Sequence, residues 1–377
     1  MMRILGIILE INPFHKGHKY FIEEAIKKVN PDVVVAITST SFTMRGDVSY
    51  LSKFDKTRIL LDNLVDLVVE LPVSKTLNSA DFFAYHSVEI LSKIGITDLA
   101  FGIENGLTEI LNDIVNITST DEFKKELEIS LAKKLSYKVA YAEAFSKVTK
   151  DSESIEYLNK PNFTLAIQYI NAINKINKDI KIHPINRVDN FYEDTSSQFI
   201  SAYNLRELID KKIDFSPHLP YNKKYIQNIN KDLLFNLIKY KFLIEQNIKP
   251  NHLITEGIDK YIINNFNVNT IEECLNNLAN KRYTKSRIKR IMISSLLNID
   301  DTYNQFEEYI RILGFNNKGR LFINSLPKEL KNKLKTTLKN DSSKTGEIEL
   351  SATKLYSLIT NINYTLDEFK IPIKKEE

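Results

Sequence analysis

The stretch Gly6-Ile-Ile-Leu-Glu-Ile-Asn-Pro-Phe-His-Lys-Gly-His18 constrains the fold more than any other part of the chain. It belongs to an apolar run, Ile4 to Ile11, with the length and β-branched content of a buried strand. Asn12-Pro13 ends that strand, because proline has no N–H and restricts the residue before it. His15-Lys16-Gly17-His18 follows, and Phe21, Ile22, Ala25 and Ile26 then mark one face of a helix. Two imidazoles three residues apart therefore stand between a first strand and a first helix. That is where α/β sheets bind ligands and where a helix offers free N–H groups to phosphate. His15 and His18 can donate to one phosphate group, and Gly17 has no Cβ to hold a nucleotide off the backbone. The bland alternative is a pair of solvated histidines on a turn. The leading strand, the following helix, Asn-Pro before the pair and Gly within it weigh against that alternative.

The same alternation continues. Val33 to Ile37 reads as a second strand, Leu64 to Leu71 as a third stopped by Pro72, Leu99 to Gly102 as a fourth, and Ile180 to Ile185 as a fifth. Helical patterns over His18 to Lys28 and Phe82 to Ile94 lie between them. Strands alternating with helices predict an α/β fold, a Rossmann-like doubly wound parallel sheet with right-handed crossovers. Beyond Leu219 the strand runs fade, and apolar-periodic stretches take over at Lys231 to Gln246, Ile271 to Leu278, Lys285 to Leu297, Glu307 to Leu313 and Leu350 to Ile359. Pro217 and Pro220 flank the change. We therefore expect two domains, 1–215 and a mainly α-helical 216–377, as 377 residues exceed one ordinary core.

An apolar fraction of 43% with 10% aromatics is that of a globular chain, and no run reaches the eighteen or so apolar residues of a membrane span. Met-Met-Arg leading into a strand is not a signal peptide, and a single Cys274 permits no intrachain disulfide. It reads as a buried small hydrophobe rather than a nucleophile. These features point to the cytoplasm and to no membrane or protein partner. The net charge of +4 does not by itself indicate nucleic acid, but its distribution matters. Six of the ten residues from Lys281 to Arg290 are basic. On a helix, Ile288, Ile291 and Met292 would face the core and leave Lys281, Arg282, Lys285 and Lys289 outside, a stripe able to neutralise phosphates. A solvated basic face is the alternative, and Tyr283 within the stripe favours RNA.

Other stretches fall at strand ends. Arg45-Gly46 follows the second strand and suits a phosphate or carboxylate as readily as a polar loop. Asp66 and Glu70 could hold Mg²⁺, though a turn cap is the expected role. Gly102 and Glu104 close the fourth strand, where a tight turn and a nucleotide contact are equally consistent with the spacing. Pro161-Asn162 opens a helix over Thr164 to Ile173, and Asn186-Arg187 lies past the fifth strand.

His15-x-Gly-His18 resembles the His-x-Gly-His signature of nucleotidylyltransferases. Over nearly its full length the chain resembles the bacterial tRNA(Met) cytidine acetate ligases. The resemblance rests on Glu10-x-Asn-Pro-Phe-His-x-Gly-His18, Phe42-x-x-Arg45-Gly46, Val65-Asp-Leu-Val-x-Glu-Leu-Pro72, Ala80-Asp-x-Phe-Ala84, Phe101-Gly-x-Glu-Asn-Gly106, Lys281-Arg-Tyr-Thr284 and Tyr309-x-Arg-Ile-Leu-Gly-Phe-Asn-x-Lys-Gly319. Ile200-Ser201-Ala-Tyr-Asn-Leu-Arg206 is similar to the superfamily's triphosphate-closing stretch, with Tyr203 where a threonine is usual. Ser39-Thr40 and Met44 stand where the family usually has a glycine and a glutamine.

The resemblance implies ATP, with Mg²⁺ travelling on it, held by Ile8, Leu9, Glu10, Ile11, Asn12, Pro13, Phe14, His15, Lys16, Gly17, His18, Lys19, Tyr20 and Phe21 and by Gly102, Asn162 and Arg187. His15 and His18 would be catalytic. Acetate would be activated as acetyl-adenylate and passed to N4 of the wobble cytidine of elongator tRNA(Met), held by Lys281, Arg282, Lys285 and Lys289. Two rivals explain the histidines in other ways. One is an adenylyltransferase for a small cofactor precursor, which leaves the helical half without a task. The other is a non-catalytic RNA-binding protein that retains the pocket.

Overall fold

The computed structural model describes residues 2–104, 108–133, 135, 137–149, 157–158, 160–187, 200–255, 257–280, 282–302 and 309–376. β1 (Ile4–Leu9), β2 (Val33–Ser39), β3 (Leu67–Leu71), β4 (Asp98–Ile103) and β5 (Lys181–Asn186) form a parallel sheet in the order β5-β4-β1-β2-β3. β1, β2 and β3 are buried at every position, as strands covered on both faces must be. Alternate side chains serve the two faces. Ile4 and Ile8 pack with Phe83, Leu91, Phe163 and Ile167 of the helices Ala80–Ile94 and Pro161–Ile176. Leu5, Ile7 and Leu9 pack with Ile22, Ala25 and Ile59 of α1 (Lys16–Val29) and α2 (Lys53–Asp62). The expected doubly wound sheet is present, with its strand ends within a few residues of those read from the sequence.

The run Glu307 to Leu313, expected to be helical, is instead a strand where it is described. β6 (Ile310–Phe315) pairs antiparallel with β3, in register Leu67↔Phe315 and Val69↔Ile312. Two short strands, β7 (Leu334–Lys335) and β8 (Ile373–Lys374), extend it. A short apolar run has no period that separates helix from strand, and here the free edge of β3 decides, since β6 covers it. The rest of the later half is helical. The helices Lys231–Tyr240, Ile271–Leu278, Lys285–Leu296 and Lys344–Thr360 share one core with Ile258–Ile263, and Phe42, Val73 and Leu77 of the first half enter that same core.

A buried ion cluster also ties the halves. The Lys53 ammonium meets Glu70 at 2.8 Å, Glu349 at 2.9 Å and Glu368 at 2.6 Å, while Arg311 meets Glu368 at 2.5 Å and Glu70 at 3.2 Å. The Tyr309 hydroxyl donates to Glu70 at 2.7 Å, and Glu349 accepts the Val73 N–H at 2.8 Å. Glu70 therefore neither caps a turn nor faces a metal. Fully buried, its charge requires partners, and it has two cations and a hydroxyl. Asp66 is likewise structural, accepting from the Val34 N–H and from the Asn316 amide, both at 2.8 Å.

Candidate functional site

The chain runs outward from β1 to β2 and β3, then returns to place β4 on the other side of β1. The crevice beyond the carboxyl ends of β1 and β4 is thus the switch point of the sheet. A cleft of about 330 Å³ opens there.

His15 is the N-cap of α1, in extended conformation (φ −142°, ψ 173°). Its Nδ1 accepts the Gly17 N–H at 3.0 Å, and His18 Nδ1 accepts the His15 N–H at 3.3 Å. With both Nδ1 atoms acting as acceptors, each neutral ring carries its proton on Nε2. Among the described residues, neither Nε2 has a hydrogen-bond partner. The rings lie 4.0 Å apart, and His18 stacks on the buried Phe14 ring at 5.4 Å. Burial, then the neighbouring His18 ring and the cations of Arg187 and Arg206, hold His15 well below the usual imidazole range; burial and Arg187 push His18 down to about 3. Both are neutral donors at pH 7. The first turn of α1 has no acidic residue, so its positive end is uncompensated.

Asn162 and Arg187 reach the same cleft. Glu104 accepts from the Asn162 amide at 2.9 Å, and Asn162 Oδ1 accepts from Arg187 at 3.2 Å. A Cβ on Gly102 would make only ordinary contacts, 3.6 Å to Arg187 and 3.9 Å to Phe21. The protein itself therefore does not require glycine there, and the space it leaves belongs to the cleft. Burial pushes the Glu10 carboxyl up, while the Met44 N–H that it accepts pulls it down. Behind it, the buried Lys56 ammonium donates to the carbonyls of Ser39 and Thr40 at 2.8 and 2.7 Å, and burial pushes it down to about 7. Among the described residues, no group of three His, Cys, Asp or Glu side chains gathers to hold a metal ion.

Over residues 2–370 the chain matches the family described as HIGH Nucleotidyl Transferase. It is 33% identical to the tRNA(Met) cytidine acetate ligase of Thermosipho africanus, covering 91% of this chain and 89% of that protein. It is 32% identical to the enzyme of the same name from Clostridium kluyveri, over 99% of each. The crystal structure of Thermotoga maritima TmcAL bound with alpha-thio ATP superposes with a TM-score of 0.85 at 26% identity, covering all of both chains. The apo form of that protein gives 0.84. The chain belongs to the tRNA(Met) cytidine acetate ligase family.

Of the residues expected to hold ATP, Ile8, Leu9, Glu10, Asn12, His15, Gly17, His18, Tyr20, Phe21, Gly102, Asn162 and Arg187 line the cleft. Ile11, Pro13 and Phe14 are buried beneath it, and Lys16 and Lys19 lie outside its lining. Asn12 spends its side chain on the neighbouring loop, donating to Val48 O at 3.1 Å and accepting from Tyr50 N at 2.8 Å. Arg206 donates to the Asn12 carbonyl at 2.9 Å, and Ser201 Oγ caps the helix Ala202–Asp210. Tyr169, on the helix Pro161–Ile176, also lines the cleft. No sequence signal separates it from a core aromatic on an apolar helix face.

The basic stretch differs from the expected outward stripe. Lys281 lies outside the described residues. The helix starts at Lys285, capped by Thr284 Oγ1, and Ile288, Ile291 and Met292 are buried as expected. Arg282 lies over the Tyr283 ring at 5.5 Å. Lys289, however, turns inward to pair with Asp47, because the loop Arg45–Val48 packs against this helix. Lys285 and Lys289 both line a second cavity of about 470 Å³ between the two halves.

Proposed function

We propose that this chain carries out the reaction for which its family is named, an ATP-dependent acetylation of tRNA(Met), in two steps. A carboxylate oxygen of acetate attacks the α-phosphorus of ATP. The bond to the β-phosphate oxygen breaks, and acetyl-adenylate and pyrophosphate result. N4 of the wobble cytidine of elongator tRNA(Met) then attacks the acetyl carbonyl. The bond to AMP breaks, N4 loses a proton, and N4-acetylcytidine is formed.

The observation that carries this reading is the pair of neutral imidazoles at the switch point, each with its Nε2 proton uncommitted and both at a helix N-terminus. Phosphoryl-type transfer needs fixed donors where charge develops more than it needs a covalent nucleophile. His15 and His18 supply two such donors on rings whose orientation is set by backbone bonds and by Phe14. Arg187, bonded to Asn162, adds a cation to the same cleft. The family resemblance implies that Mg²⁺ travels with ATP, bound to its phosphates. The positively charged segment from Arg282 to Arg290 supports binding of the tRNA, with Lys285 and Lys289 at the cavity and Arg282 half-buried over the Tyr283 ring. A tRNA substrate supports a cytoplasmic setting for the reaction.

Acetate-dependent exchange of labelled pyrophosphate into ATP tests the first step. We expect exchange in the native protein and its loss in His18→Ala, with tRNA affinity retained. Equal loss of exchange and of tRNA affinity would contradict the division between the two halves.

A further inference from the structure

We propose that the second cavity receives the acceptor nucleotide itself: a cytidine drawn out of the stack of a single-stranded loop, with its flanking phosphate at Arg45. This rests on the tRNA acetylation reading above and adds to it the place where the acceptor base sits.

The first argument is position. Arg45, Asp47, Tyr203 and Arg206 border both the 330 Å³ cleft and the 470 Å³ cavity, so the two spaces adjoin along one shared wall. An amine held in one space and an acyl group held in the other need to meet only across that wall. An enzyme acting on an exocyclic amine must take the base out of its stack, and it needs a pocket of this kind to receive it.

The second argument is chemistry. One part of the cavity wall is apolar, formed by the buried Leu234, Ile238, Leu275 and Met292. At the shared wall stands Tyr203, 62% exposed on the helix Ala202–Asp210, an aromatic face of the sort on which single-stranded bases stack. The cations sort into two groups. Lys289 is neutralised by Asp47 and Lys231 by Asp210, and Lys285 and Arg206 donate to Asn276 Oδ1 and to the Asn12 carbonyl. Arg45 is exposed and, among the described residues, has no hydrogen-bond or ion-pair partner. An exposed guanidinium, drawn only at a distance by the Glu10 carboxyl, beside an exposed ring and an apolar slot matches the three parts of a nucleotide: phosphate, base face and buried base. Glu272, in the same lining, offers the carboxylate acceptor that an exocyclic amine of cytosine favours. A purely apolar ligand would leave Arg45 and Glu272 unanswered, and a free polyphosphate would meet the apolar walls.

Ser286 and Asn276 line this cavity and not the ATP cleft, which makes them the places to block it. Ser286→Trp and Asn276→Trp are to be compared with Ser286→Ala. Three readouts apply: acetate-dependent pyrophosphate exchange, acetate transfer to elongator tRNA(Met), and fluorescence anisotropy of an anticodon-loop RNA oligonucleotide carrying cytidine or uridine at the acceptor position. We expect both Trp variants to keep exchange within about twofold and to lose about tenfold or more in transfer and in cytidine-oligonucleotide affinity, with Ser286→Ala near native. Far-ultraviolet circular dichroism reports independently that the variants are folded. Native transfer in both Trp variants would overturn the assignment, as would loss of exchange in both, because the cavity would then not be a separate site. Were the native protein to exchange pyrophosphate but transfer nothing to tRNA, the acceptor in the functional reading would be wrong. The oligonucleotide would then decide on the cavity alone: binding blocked by Ser286→Trp supports a nucleotide site, and binding unaffected by it refutes one.

Discussion

Replacing Gly46 by alanine tests how the helical half is seated on the nucleotide-binding half. Gly46 has φ +76°, in the left-handed region, and a Cβ there would stand 2.7 Å from the Arg290 nitrogen, 2.7 Å from Lys289 Cβ and 2.8 Å from the Lys289 carbonyl carbon. Two of those three neighbours are helix backbone, so the helix Lys285–Leu296 must move as a body. A left-handed non-glycine residue costs about 1–2 kcal/mol. Forced backbone displacement in a packed interface costs about 1–3 kcal/mol more, which makes about 2–5 kcal/mol in all. Gly95 is the internal control: its φ is +95°, but nothing lies within 4 Å of its would-be Cβ, so Gly95→Ala carries only the backbone cost. Urea unfolding at pH 7 should therefore place Gly46→Ala about 1–3 kcal/mol below Gly95→Ala. Displacing the helix also breaks the Lys289–Asp47 pair and the Arg290 bond to the Met44 carbonyl at 3.2 Å. Met44 N–H is what Glu10 accepts at the switch-point cleft, so pyrophosphate exchange should fall in Gly46→Ala and not in Gly95→Ala. Equal destabilisation by the two substitutions would refute the packing of this helix on the Arg45–Val48 loop.

Three further outcomes are expected. Unfolded histidines bind protons near 6.5, whereas His18 holds off to about 3 and His15 is also well depressed. Between those values the unfolded state binds more protons, so stability falls as pH drops through that window. The urea midpoint should fall less steeply from pH 7 to pH 4.5 in His15→Asn/His18→Asn, where Asn at position 15 keeps a capping side chain; equal slopes would contradict the burial argument. Lys53→Met leaves Glu70, Glu349 and Glu368 short of a cation, and should cost about 3–5 kcal/mol in urea unfolding, with a loss under about 1 kcal/mol counting against the cluster. Asn162→Ala removes the side-chain bonds to Glu104 and Arg187 and loosens the orientation of Arg187, and calorimetric ATP affinity should drop by about 1–2 kcal/mol; an unchanged Kd would remove Asn162 from the site.

The parts legible in the sequence were those with local causes. β1, β3 and β4 are apolar runs stopped by Pro, Gly or Asn, β2 is a β-branched run, and the histidine turn carries its own strand, break and helix start. Arg187 and Asn162 could be placed at strand and helix ends, and the ligand edge of a parallel sheet then brings them to His15 and His18. What the sequence hid depends on distant partners. β6 is a strand because β3 has a free edge, and no period within 307–313 expresses that. Glu70 reads as a turn carboxylate until Lys53 and Arg311 arrive from elsewhere in the chain. Lys289 belongs by periodicity to an outward stripe, yet Asp47, 242 residues away, draws it inward. The second cavity exists only once both halves are assembled, so its walls come from five separate segments of chain.

The most direct measurement is incorporation of labelled acetate into elongator tRNA(Met) by the purified protein, with and without ATP, followed by nucleoside analysis. The account predicts ATP-dependent label recovered as N4-acetylcytidine, abolished in His18→Ala. A folded, ATP-binding protein that gives neither labelled tRNA nor acetate-dependent pyrophosphate exchange would contradict it.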